Sequence, residues 1–169
     1  PQAWSSAASD VYKRQIHSLV ATTNDHEKFA RTGENRSLNR HQWDVSELYR
    51  HLDNPSSHHS QVFSQLKSLI SIRSQQSAFH PNATQFTLHL GDELFGFWRQ
   101  SSDRKQSIFC ISNISDQAQE LYLYKVNLTV NEDWWDLISE TKINNPNEHM
   151  ILAPYQTIWL TNTARRKVS

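Results

Sequence analysis

The apolar residues of this chain change their period near Ser77, and that change limits what the chain can fold into. Upstream, Val62, Leu66, Leu69 and Ile70 recur at three- and four-residue spacing with Phe63 beside them, the stripe of an amphipathic helix. Downstream, Phe86, Leu88 and Leu90 alternate with Gln85, Thr87 and His89, the two-residue period of a strand with one face buried. Gly91-Asp92 supplies turn chemistry before Leu94 to Arg99, so the two stretches read as a hairpin. Ile108 to Ile111 is a continuous apolar run suited to a central strand, and Leu121 to Val126 alternates again. Met150 to Leu160 closes the series with Pro154 inside it, which favours an edge strand or a bulge. A helical segment followed by a run of short strands predicts an α+β chain ending in an antiparallel β-sandwich.

In the helical part, Asp44 and Glu47 have the spacing of a capping box and start a helix that Asn54-Pro55 interrupts. Ser56 or Ser57 then caps the next helix. Ile16 to Val20 reads as the end of a buried strand. Between it and Asp44 lies a segment, Ala21 to Trp43, with more charge and amide than a connector requires, expected as a long loop that is either functional or disordered.

Charge and cysteine content narrow the function classes. The 169 residues carry 17 basic and 17 acidic side chains, a balance that argues against a nucleic-acid or membrane partner. A single cysteine, Cys110, allows neither a disulfide framework nor a multi-cysteine zinc site within one chain. A cytoplasmic location is the resulting expectation, with no signal-peptide pattern and no apolar run of about 18 residues. Sequons at Asn35, Asn82, Asn113 and Asn127 are the kind of match that a chain rich in Asn, Ser and Thr produces by chance.

Several groups of residues could carry chemistry. His58-His59, with His17, His26, His41 and His51, invites a metal reading, but no HExxH or comparable arrangement is present, and no metal is expected. Trp98, Trp134, Trp135 and Trp159 suit either a sandwich core or a carbohydrate-stacking surface. Asp103-Arg104-Lys105 and Arg165-Arg166-Lys167 read as solvated surface. Asn24-Asp25 and Asn39-Arg40-His41 differ, because they cluster in the long segment after the first apolar run. The planar fork of Arg40 suits a carboxylate or neighbouring hydroxyls, and the residues alone equally allow a structural ion pair.

The segment HSLVATTNDHEKFARTGENRSLNRHQW, His17 to Trp43, resembles the loop after the last barrel strand in sucrose phosphorylases and related sugar phosphorylases of glycoside hydrolase family 13, in the α-amylase superfamily. RSQQSAF at Arg73 to Phe79, WWDLIS at Trp134 to Ser139 and LAPYQTIWL at Leu152 to Leu160 follow in family order. The resemblance implies the last strand and helices of a (β/α)8 barrel, residues 16–77, then a C-terminal antiparallel β domain, residues 78–162, and a tail, 163–169. It implies a retaining glucosyl transfer to phosphate from sucrose or a related glucoside, giving glucose 1-phosphate without a cofactor. The expected partners are a sugar substrate and inorganic phosphate, with a homodimer of the parent protein possible. Arg40 would help to hold the glucosyl unit, with Asn39 and His41 shaping the loop around it. An amylase-type hydrolase or a non-catalytic carbohydrate-binding β module are the alternatives.

Barrels of this kind take about 250 residues, so the nucleophile and the acid/base would lie upstream and the piece by itself would be inactive. Residues 1–15 are expected to be foreign to the fold and disordered. Ser5 to Gln15, SSAASDVYKRQ, is matched codon for codon by a transposase adapter used in sequencing libraries.

Overall fold

The computed structural model describes residues 16–126, 128, 133–145 and 149–163. The expected adapter stretch, the basic run Arg165-Arg166-Lys167 and the Asn127 sequon lie outside them. The chain divides into two compact units, a first up to Ile70 and a second from Ser71.

Helices build the first unit. Residues 16–19 are helical, and the Val20 N–H reaches the Ile16 carbonyl at 3.1 Å, so this run is not the end of a strand. Five apolar-rich residues do not distinguish the two periods, and no strand is present among the described residues of this unit to pair with it. The segment expected as a long loop is largely folded. Asp25 caps helix α1, His26–Thr32, by accepting the Lys28 N–H at 2.8 Å. Gly33 ends it at φ 65°, a conformation glycine adopts without strain, and returns its N–H to the Phe29 carbonyl at 2.8 Å. A 3-10 turn, Asn35–Asn39, follows, and the Asp25 N–H to the Leu38 carbonyl, 2.7 Å, ties its end back to the start of α1.

Asp44 starts α2, Val45–Asp53, by accepting the Glu47 N–H at 3.1 Å, the cap expected from their spacing. Ser57 takes the equivalent place before α3, His58–Ser74, accepting the His59 N–H at 3.1 Å. Val20 is fully buried, and its carbonyl is bonded by Nδ1 of the buried His59 at 2.6 Å. Ile16, Phe63 and Ile70 remain exposed.

The second unit holds two antiparallel sheets. Strands β1 (Thr84–His89), β2 (Leu94–Gln100), β3 (Ser107–Asn113), β5 (Trp134–Asp136), β6 (Lys142–Ile143) and β8 (Thr157–Thr161) form a six-stranded sheet in the order β1-β2-β3-β8-β5-β6. β4 (Gln119–Tyr122) and β7 (His149–Leu152) form a smaller two-stranded sheet. The expected hairpin is β1–β2, turning at Gly91 with φ 106°. β3 lies inside the larger sheet and is buried on both faces. Phe109 and Ile111 join a core with Leu121 and Leu152 from the smaller sheet, while Ile108 and Cys110 pack with Ile72, Ala78, Phe79 and Leu137. That double burial is why its sequence is continuously apolar. It also pushes the Cys110 thiol up to about 12.

Two expectations are corrected here. Leu121 to Val126 is not one strand: β4 stops at Tyr122, and Leu123–Val126 form a 3-10 turn that still buries Leu123 and Val126. Met150 to Leu160 is two strands in different sheets, with Pro154 in the connection rather than inside an edge strand. Asn113 holds that connection. Its Nδ2 donates to the carbonyls of Gln117, Ala153 and Leu152 at 2.7, 2.9 and 3.3 Å, and its Oδ1 accepts from the Ser115 N–H and hydroxyl. With the side chain 2% exposed, this sequon cannot carry a glycan in the folded chain.

Candidate functional site

The charged segment between Val20 and Asp44 organises two clefts in the first unit, with His41 and Trp43 in the walls of both. Asp25 is the hinge of the arrangement. One carboxylate oxygen caps α1, and the other meets His41 Nδ1 at 3.1 Å. The Lys28 backbone N–H, and then His41, hold this carboxyl below the usual carboxylate range.

The first cleft, about 380 Å³, adds Asn24, Glu47, His51 and His59 to Asp25 and His41. Its rings form an edge-on cluster, with Trp43 5.1 Å from His59 and His51 4.9 Å from His59. Imidazoles and carboxylates converge here, yet among the described residues no group of three or more His, Cys, Asp or Glu is placed to hold a metal ion.

The second cleft, about 560 Å³, is cationic. Arg40, Arg36 and Lys28 line it against one carboxylate, Glu34, which already meets Arg36 at 3.7 Å. Lys28 Nζ donates to the Arg40 carbonyl at 2.8 Å, and the Arg40 N–H donates to the Ser37 carbonyl at 3.3 Å. The backbone of Arg40 is therefore fixed from two sides. Such a wall suits an anion or a ligand rich in acceptors. The Thr22 hydroxyl, in the wall of the first cleft, accepts the Trp43 indole N–H at 2.9 Å and lies 3.2 Å from His17 Nδ1. The Thr22 hydroxyl thus bridges the Trp43 indole and the His17 ring. Burial, and next the neighbouring His41, push the His17 ring below its ordinary value, in keeping with a neutral imidazole.

Arg40 and His41, both singled out in the sequence, thus stand together, whereas Asn39 is exposed at the end of the 3-10 turn and lines neither cleft. Sequence reasoning missed Lys28, Thr22 and Trp43. Lys28 becomes visible only once Asp25 is recognised as a helix cap, because the cap fixes where the first turn points. Among the tryptophans, Trp134 is core at 2% exposure, while Trp98, Trp135 and Trp159 are half-buried.

Comparison with known proteins adds to this geometry. No protein-family model matches the chain. It is 31% identical over 145 residues, 86% of its length, to the glucosylglycerate phosphorylase of Allomeiothermus silvanus, of which it covers 23%. A match of that length necessarily takes in residues 25–145, including Asn39-Arg40-His41. The glucosylglycerate phosphorylase of Escherichia coli is 28% identical over 86% of this chain, which covers 24% of it. The chain spans about a quarter of the length of these relatives. Among solved structures, the α-amylase of Geobacillus thermoleovorans superposes with a TM-score of 0.54 at 13% identity, over 78% of this chain and 26% of that one, a likeness of fold.

Proposed function

We propose that this chain is the C-terminal part of a retaining glucosyl phosphorylase, and that its donor is glucosylglycerate rather than sucrose. The observation that carries the reading is the match to glucosylglycerate phosphorylases, which takes in the lining of both clefts from Asp25 onward. The cationic wall supports it. A phosphorylase must hold an anionic acceptor, and glucosylglycerate brings a carboxylate of its own, so a cleft with Arg40, Arg36 and Lys28 suits either group.

In this reaction a carboxylate of the upstream barrel attacks the anomeric carbon while a protonated carboxyl gives its proton to the departing glycerate oxygen. Phosphate then displaces the enzyme carboxylate and leaves as glucose 1-phosphate, with the anomeric configuration retained by the two displacements. Arg40 contributes fixed positive charge beside the transferring groups, and the Asp25–His41 pair holds the adjoining wall in place. Water exclusion decides between phosphorolysis and hydrolysis, and an anion-filled cleft favours the former.

The test is a comparison of kcat/KM for phosphorolysis of glucosylglycerate and sucrose by the longer polypeptide that carries this chain. Preference for glucosylglycerate supports the full reading. Preference for sucrose keeps the phosphorylase and overturns the donor, and release of free glucose alone assigns an amylase-type hydrolase.

A further inference from the structure

Lys28 and Arg40 are 12 residues apart in the chain, yet each polar group of Lys28 leads to Arg40 or to a residue beside it. The ammonium does so directly, Nζ donating to the Arg40 carbonyl at 2.8 Å. The backbone N–H donates to Asp25 Oδ1 at 2.8 Å, and the other oxygen of that carboxylate meets His41 Nδ1 at 3.1 Å. The Lys28 carbonyl accepts the Thr32 hydroxyl at 2.9 Å. That hydroxyl lies 2.9 Å from the hydroxyl of the buried Ser37, whose carbonyl accepts the Arg40 N–H at 3.3 Å.

Arg40 needs such support. It follows the 3-10 turn with φ −128° and ψ 45°, neither helical nor extended, so no helix or strand ladder sets the direction of its backbone. Its N–H is spent on closing the turn, and its carbonyl takes a donor from α1. That carbonyl belongs to the peptide group joining Arg40 to His41. One ammonium therefore orients the peptide plane between the two residues that stand together in the cleft walls.

A lysine in a cationic cleft has two possible roles, direct ligand of the anion or support for another ligand. The geometry separates them. Arg36 and Arg40 present planar forks suited to an anion, whereas the amine of the half-buried Lys28 is already seated on a main-chain carbonyl. A bond from an ammonium to a carbonyl is charge-assisted and stronger than a neutral one, which suits it to holding a backbone in place.

We propose that Lys28 is a positioning residue, whose ammonium sets the Arg40–His41 peptide so that the Arg40 guanidinium is presented to the ligand of the cationic cleft. Its effect on turnover rests on the glucosyl-transfer reading, while its effect on the backbone does not. The scale of the first follows from the sensitivity of rates to placement, since a shift of about 1 Å in a positioned group costs about a hundredfold.

Lys28→Met removes the donor but keeps a helix-forming stem, and Lys28→Arg keeps a donor; circular dichroism confirms that each folds. In the longer polypeptide that carries this chain, amide exchange over residues 37–43, read by mass spectrometry, should quicken about tenfold in Lys28→Met and return towards the parent in Lys28→Arg. Phosphorolysis of glucosylglycerate should lose about 10- to 100-fold in kcat/KM in Lys28→Met. Added to Arg40→Ala, the same change should cost less than about threefold more, because its effect passes through Arg40. Unchanged exchange in Lys28→Met overturns the positioning role whatever reaction the cleft serves. Full additivity of the two losses overturns it as well and makes Lys28 a separate ligand of the anion. Absence of phosphorolysis in the parent refutes the reaction alone, and the exchange result then decides the role of Lys28.

Discussion

Replacing Asp136 with alanine removes the acceptor for four donors in the β unit. Oδ1 accepts the Trp159 N–H at 2.9 Å and the Ile138 N–H at 3.2 Å, and Oδ2 accepts the Ser139 N–H at 3.2 Å and the Ser139 hydroxyl at 2.6 Å. Their fates differ. The Ser139 hydroxyl keeps Thr141 at 2.7 Å, and the Ser139 N–H belongs to an exposed residue that water reaches. The Trp159 N–H sits within β8, and the half-buried Ile138 N–H has little access to solvent. One orphaned donor and one poorly solvated donor, each about 1–3 kcal/mol, give a loss of about 3 kcal/mol for Asp136→Ala. Asp136→Asn retains an oxygen for the Oδ1 pair, so its loss should be about 1 kcal/mol. Urea unfolding followed by tryptophan fluorescence reads both as lower midpoints at constant slope, with Tm falling by about 4–8 °C per kcal/mol in a unit of this size. Both variants within about 0.5 kcal/mol of the parent would refute the claim that Asp136 organises the β5–β8 corner.

Other expectations follow from the same geometry. Asp25 has its folded pKa depressed, so its contribution to stability is complete above about pH 4 and is lost as pH falls through the folded value. Asp25→Asn, which keeps a capping oxygen, should flatten the acid limb of stability against pH; identical limbs would remove Asp25 from the acid response. In the longer polypeptide, Arg40→Ala should lower kcat/KM by about 30- to 1000-fold, equivalent to about 2–4 kcal/mol of transition-state binding, and an unchanged value would assign Arg40 to structure. The segment from Ser71 to Ser169 should unfold cooperatively when expressed alone, since both its sheets and its two core clusters lie within it. Random-coil circular dichroism with a featureless melt would contradict that.

The parts of the fold legible in the sequence are those where local period and tertiary burial agree. β1 alternates because Leu88, followed by Leu90, packs half-buried against the core while Phe86 on the same face stays exposed, Ile108 to Ile111 is continuously apolar because both faces of β3 are buried, and Asp44 and Ser57 cap because their side chains reach orphan N–H groups. Legibility failed where burial continues past a change in backbone. Leu121, Leu123 and Val126 are all buried, but the chain leaves the strand after Tyr122, and periodicity records only the burial. The run Ile16 to Val20 failed for want of length. At the candidate site, Arg40 and His41 stood out by type and clustering, while Lys28 and Thr22 act through a helix start and a hydroxyl relay that no short pattern encodes.

The central claim is that the protein carrying this chain transfers glucose to phosphate. Its most direct test is phosphorus NMR of that protein incubated with glucosylglycerate and inorganic phosphate. The account requires α-glucose 1-phosphate to appear as inorganic phosphate is consumed. Cleavage to free glucose with the phosphate signal unchanged would contradict it.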